Sequence, residues 1–218
     1  VGDLDASDTI KTIKEKFGKL KKSTPEIREY KSKKDVDNLY SLKTKFKTRH
    51  VKINGSSPTP LFSLAYRGEP LGATRGFTMD IVSSIIGSGE SSYFHQKYVK
   101  GRKPLLASIY AANYQLKKNG VFYISGELIK GVNLQRFRKQ FLRNSSKICD
   151  IAITERNVQK TKNQYLINYY NELKTNAGVA HFVGNRENYF NDYEFYKKEL
   201  EIYNSITTEE TMRVCKQI

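Results

Sequence analysis

Hydrophobic and polar positions along the chain change period several times, and each change marks an element. Ser7 to Phe17 carries Ile10, Ile13 and Phe17 at helical spacing, with Ser7 or Asp8 placed to cap the helix. From Gly18 to Thr48 the chain is polar, lysine-rich and interrupted by Pro25, which reads as a linker with room for a short helix around Asp35 to Leu42. Arg49 to Ile53 and Leu61 to Tyr66 read as strands joined by a turn at Asn54 to Pro60. Arg75 to Ile86 spreads Phe77, Met79, Ile81, Val82, Ile85 and Ile86 around a helix, so that helix should be largely buried. Leu105 to Leu116 and Val121 to Leu128 read as a hairpin closed at Gly120. Alternation there sends Phe122 and Ile124 to one face and Val121, Tyr123 and Ser125 to the other.

The remainder is helical. One helix should start at Val132 or Asn133 and run to about Ile148. A longer one should run from Thr154 to Lys174, with Val158, Tyr165, Tyr169 and either Leu166 or Ile167 turned inward. Asn176 to Tyr189, Tyr193 to Tyr203 and Thr207 to Lys216 complete the set. Two strands, two helices, two strands and then helices predict an α+β fold, an antiparallel-dominated sheet with helices packed on one face. There is no short internal repeat.

One stretch carries more than secondary structure. Ile85 to Val99 reads as an apolar helix, a turn broken by Gly87, Ser88 and Gly89, a cap at Ser91 or Ser92, and a second helix. Gly87 or Gly89 should take a positive φ. This order of strand, helix, Gly-Ser-Gly, helix and hairpin resembles the C-terminal domain of the pitrilysin/insulinase-type zinc metallopeptidases, which include the mitochondrial processing peptidase. Two further stretches agree. Val1-Gly-Asp-Leu-Asp5 and the helix ending at Phe17-Gly18 are similar to the close of that family's preceding domain, and Ile206 to Val214 is similar to its closing helix. The resemblance implies three parts: residues 1–18 as the tail of a preceding homologous domain, 19–48 as a charged linker and 49–218 as a C-terminal peptidase-like domain.

Composition narrows the partners. The chain has 218 residues, 38% of them hydrophobic, which suits a globular domain with a real core. Lys and Arg exceed Asp and Glu by 38 − 22 = +16. That balance raises nucleic acid, anionic membrane or acidic peptide as partners. The charge is spread from Lys11 to Lys216, however, and reads as a solvated basic surface. Its densest spots are Lys19 to Lys22, Lys31 to Lys34, Lys43 to Arg49 and Arg136 to Arg143; within the last, Phe137 and Phe141 read as core. No apolar run approaches the ~20 residues that span a bilayer. The chain begins inside an element without an initiator Met, so it reads as a fragment whose targeting signal would lie upstream. Cys149 and Cys215 have no metal-like spacing and read as structural thiols rather than a disulfide, leaving the compartment open.

The expected chemistry is absent from these residues. The family signature is His-x-x-Glu-His with a distant Glu as third zinc ligand. Here His50, His95 and His181 are isolated, and Glu69, Glu90 and Glu127 are scattered singles. Gly87-Ser-Gly89 lacks the Lys-Ser/Thr pair of a phosphate loop, and spacing supports no Ser-His-Asp group. Some family members add an Arg and, seven residues later, a Tyr that contact substrate. Matching Ser91-Ser92 to the family's serines puts Val99 and Leu106 at those positions, and Tyr93 where an Arg is usual. Arg102 and Tyr110 are the nearest substitutes for a substrate contact.

The resemblance therefore implies a non-catalytic C-terminal domain of a zinc metalloendopeptidase subunit. It would hold no catalytic or metal residue of its own, with zinc in the upstream half or in a partner subunit. It would form part of a clamshell chamber for unfolded peptide and a dimer interface, periplasmic or secreted if bacterial. The alternatives are a structural or assembly subunit of the same fold and a basic nucleic-acid-binding domain. The leading reading expects a homologous peptidase domain or subunit as partner, no specific nucleic acid and no transmembrane segment.

Overall fold

The computed structural model describes residues 1–21 and 48–218; the helix expected around Asp35 to Leu42 and most of the 19–48 linker lie outside the described residues. The first helix, α1 (Ala6–Phe17), is capped by Asp5, whose carboxylate accepts the Asp8 N–H at 2.9 Å, and not by Ser7 or Asp8. None of its residues is buried, and Ile10, Ile13 and Phe17 are all exposed.

The strand expected at Arg49 to Ile53 does not form, and Val51 and Ile53 project into solvent. Two apolar side chains flanked by Arg49 and Lys52 bury too little to offset the ordering of five residues. The first strand is β1 (Leu61–Gly68). It is followed by α2 (Thr74–Gly87), a π-helical turn at His95–Val99, and the hairpin strands β2 (Leu106–Gln115) and β3 (Gly120–Leu128). The sheet has three strands in the order β1-β3-β2, antiparallel throughout, with a bulge between Leu106 and Ser108.

Register sets the two faces of the sheet. Leu64, Ile124 and Ala111 lie opposite one another on the inner face, as do Tyr66, Phe122 and Asn113. The outer face carries the rows Ala65–Tyr123–Ala112 and Ser63–Ser125–Tyr110, so the alternation read in the hairpin holds. Helix α2 covers the inner face. Ten of its fourteen residues are buried, because it is sandwiched between the sheet and later helices.

Those helices are α3 (Leu134–Ser145), α4 (Ile148–Ala152), α5 (Glu155–Glu172), α6 (Asn176–Phe190), α7 (Phe195–Ser205) and α8 (Thr208–Gln217). Asn133, Thr154, Thr175 and Thr207 cap α3, α5, α6 and α8 through side-chain oxygens. The helix expected to reach Ile148 breaks into α3 and α4. On α5, Val158 is buried, but Leu166 and Ile167 are both exposed, so neither reaches the core. A single core joins α2, the inner sheet face and the aromatic set Phe94, Tyr98, Phe137 and Phe141.

The cysteines correct the sequence reading. Cys149 on α4 and Cys215 on α8 form a disulfide, with Cα atoms 5.8 Å apart. They stand 66 positions apart in sequence, and the packing of the last helix against α4 brings them together. Helix prediction along the chain cannot show that meeting.

Candidate functional site

The Gly-Ser-Gly turn is built by close approach. Gly87, the last residue of α2, lies against β2: a Cβ there would sit 2.4 Å from the Ala111 nitrogen and 2.5 Å from its Cβ. Ser88 returns to extended backbone, and Gly89 takes φ +74°, where an L side chain is strained. Gly87→Ala should therefore cost about 2–3 kcal/mol by forcing α2 off the strand, and Gly89→Ala about 1 kcal/mol by backbone strain alone. Gly184→Ala, on an open face of α6, serves as a neutral or stabilising control. Urea-unfolding midpoints rank the three, and a Gly87 variant as stable as the control would mean that α2 and β2 do not meet this closely.

The serines do something other than cap. The Ser92 hydroxyl donates backwards to the Gly89 carbonyl at 2.7 Å instead of accepting a backbone N–H. Ser91 accepts a hydrogen bond from Lys160 of α5 at 2.6 Å, tying the turn to the helical half. The expected second helix is one π turn, closed by Lys100 N–H donating to the His95 carbonyl at 3.0 Å. It turns Phe94 and Tyr98 into the core.

The histidines and carboxylates remain dispersed. His95 Nδ1 lies 3.1 Å from the Glu90 carbonyl, His50 lies against Arg138, and His181 is exposed on α6. Glu90 pairs with Lys100, which lowers its pKa through that hydrogen bond and charge. Glu69 pairs with Arg75, and Glu127 accepts from Thr59. No group of three or more His, Cys, Asp or Glu among the described residues could hold a metal ion. Val99 and Leu106 both join the apolar interior. Arg102 is exposed in the bend before β2. Tyr110 is on the open sheet face, its ring edge-on to Tyr123 at 5.7 Å. No described hydrogen bond or ring contact joins Arg102 to Tyr110.

Two features escaped the sequence reading. The first is a groove between α5 and α7, lined by Tyr165, Tyr169, Tyr203 and Leu200, with Arg186 and Glu199 paired at 2.6 Å on its wall. The second is Asp80, a carboxylate within the apolar run of α2 that meets Asn113, Gln115 and Tyr203. A signal was present: Asn113 and Gln115 occupy alternate, inward-facing positions of β2, where apolar side chains are the rule.

An antiparallel sheet covered on one face by helices, with a Gly-Ser-Gly helix end, defines a class. The family profile for the peptidase M16 inactive domain matches residues 1–165, and the chain belongs to that family. Among solved structures it is similar to a protease from Helicobacter pylori, with TM-score 0.75 and 17% identity over 100% of this chain and 50% of that one. It is also similar to a peptidase M16 inactive domain from Pseudomonas fluorescens, with TM-score 0.60, 13% identity and 72% and 36% of the two chains covered. A third is a chain of complex III2 from Candida albicans, with TM-score 0.58, 16% identity and 75% and 41% covered. The chain thus spans half the length of the Helicobacter protease it matches in full. No curated protein matches it in sequence.

Proposed function

We propose that this chain is the non-catalytic C-terminal part of a zinc metalloendopeptidase subunit, and that its open sheet face forms one wall of a peptide-holding chamber. The observation that carries this reading is the asymmetry of the sheet. The inner face is buried under α2, while Ser63, Ala65, Tyr110, Ala112, Tyr114, Tyr123 and Ser125 on the outer face lie uncovered or half-covered. Small residues beside tyrosines give a shallow surface that accepts many side chains, and the phenol rings add contact area at low entropic cost. Tyr110 is then a substrate contact, and Arg102 is a cation near the start of its strand. Zinc and its ligands belong to the upstream half or to a partner subunit, which also supplies the opposite wall and the dimer contact.

The disulfide supports an oxidising compartment, periplasmic or extracellular for a bacterial parent. No helix among the described residues is long and apolar enough to cross a membrane. The similarity to a complex III2 chain keeps a second reading, an assembly subunit with no proteolytic role. Photo-crosslinking separates the two. A benzophenone side chain at Ala112 should capture an unfolded peptide when the chain is assembled with its peptidase partner, whereas the same group at exposed Ile167 should not. The chain alone should retain no stoichiometric zinc after dialysis and cleave no quenched peptide. Capture only at Ile167, or one tightly held zinc per chain, would overturn the proposal.

A further inference from the structure

A carboxylate stands inside the joint where α2, β2, α5 and α7 meet. Asp80 Oδ1 accepts from Asn113 Nδ2 at 2.9 Å, and Oδ2 accepts from Gln115 Nε2 at 3.1 Å and from the Tyr203 hydroxyl at 3.2 Å. All three donors are neutral. Each neighbouring element offers charged or titratable groups, and none of them is a cation bonded to Asp80. On α5, Tyr165 stacks on Tyr203 with centroids 4.1 Å apart, Lys162 donates instead to the Asn204 carbonyl at 3.0 Å, and Glu172 lies on the groove wall. On α6 and α7, Arg186 is taken up by Glu199 at 2.6 Å. On α8, Glu210 accepts from Thr78 at 3.3 Å. Burial is the main force on Asp80 and pushes its pKa up to about 7, Glu199 adds repulsion, and the three hydrogen bonds oppose them.

The amide oxygens give the second observation. Asn113 Oδ1 and Gln115 Oε1 are both buried without a hydrogen-bond partner. Asn113 is held in place because Nδ2 also donates to the Gly76 carbonyl at 3.0 Å. Gln115 has no such second bond: its amide is held only by Asp80. Turning that amide over would present Oε1 to a protonated carboxyl, giving the carboxyl proton an acceptor. The same three side chains can therefore serve either form of Asp80, but only the neutral form spares the joint a half-buried charge with no cation beside it.

We propose that Asp80, bonded across the layers to Tyr203 and within its own layer to Gln115, forms a proton-operated latch between the α2–β2 layer and the C-terminal helices α5 and α7, closed when the carboxyl is protonated and loosened when it ionises. The direction follows from linkage. A folded-state pKa above the unfolded value means that the native chain binds more protons between the ordinary carboxylate range and about pH 7. The latch contributes fully below that window, weakens across it and is lost above it. An acid-side tightening is thus built into a domain whose other carboxylates lie mostly at the surface.

The test is made on the full chain. The Asp80 side-chain carboxyl carbon, followed by NMR, should titrate near pH 7. The urea midpoint should fall between about pH 5 and about pH 8, and the protection factors of α5 and α7 amides, corrected for the base-catalysed rise of intrinsic exchange, should drop about tenfold at the higher pH. Asp80→Asn should raise the alkaline midpoint and flatten its pH dependence. Titration of Asp80 in the ordinary carboxylate range would overturn the proposal, and so would an unchanged pH slope in Asp80→Asn. The carbon titration is read on the unaltered chain, so it tests the latch even where a variant fails to fold.

Discussion

Reducing the Cys149–Cys215 disulfide should lower the unfolding free energy by about 2–4 kcal/mol. The bond closes a loop spanning 66 residues of sequence separation, which in the loop-entropy view is worth about 4 kcal/mol through the unfolded chain. It also fastens the end of the chain. α8 places Thr211, Val214 and Cys215 in the core with little or no exposure, yet it is only ten residues long and marginal without packing. The other tie between these helices, Lys216 to Asp150 at 2.6 Å, is largely exposed and adds little. Urea unfolding with and without reductant, beside Cys149→Ser and Cys215→Ser, should give three destabilised midpoints close to one another. Two thiols that alkylate in the untreated chain, or a midpoint indifferent to reductant, would show that the bond is not formed. That result would also remove the support for an oxidising compartment.

What could be read along the chain was whatever local pattern decides. The apolar positions from Phe77 to Ile86 surround the helix, and α2 is buried nearly all round. The hairpin faces followed from alternation, and Asn133, Thr154 and Thr207 each cap the helix that follows. Features set by neighbours distant in sequence were not legible in the same way. Arg49 to Ile53 has strand-like residues but no pairing partner. Leu166 and Ile167 have helical spacing but face outward, because Tyr165 takes the inward position against Tyr203. The disulfide and the Asp80 joint depend on how α4, α7 and α8 fold back on α2. At the Gly-Ser-Gly turn, the pattern marked a break but not its causes. One glycine yields to the nearness of Ala111, and the other to a positive φ.

Phe141→Ala should cost about 3–5 kcal/mol, the range for emptying a buried aromatic site. The Phe141 ring is 2% exposed and lies 5.2 Å from Phe94, 5.4 Å from Tyr98, 5.5 Å from Phe137 and 5.7 Å from Phe62, centroid to centroid. Those rings come from the π turn and the residue before it, from α3 and from β1, so the cavity would loosen three parts of the fold at once. The same helix combines one of the densest basic spots with two phenylalanines, and Arg136, Lys139 and Arg143 are exposed on the side opposite them. A stacking platform needs aromatic faces open to bases, and Phe137 and Phe141 are both shut in the core. Arg136→Glu and Arg143→Glu should therefore leave stability within about 0.5 kcal/mol of the parent. They should only weaken a salt-sensitive attraction to DNA that fades by about 0.2 M salt. Thermal and urea unfolding of the three variants, with DNA titrations across salt, tests both halves. A stable Phe141→Ala that loses salt-resistant, sequence-selective DNA binding would move this helix from the core to an interface and reverse the functional assignment.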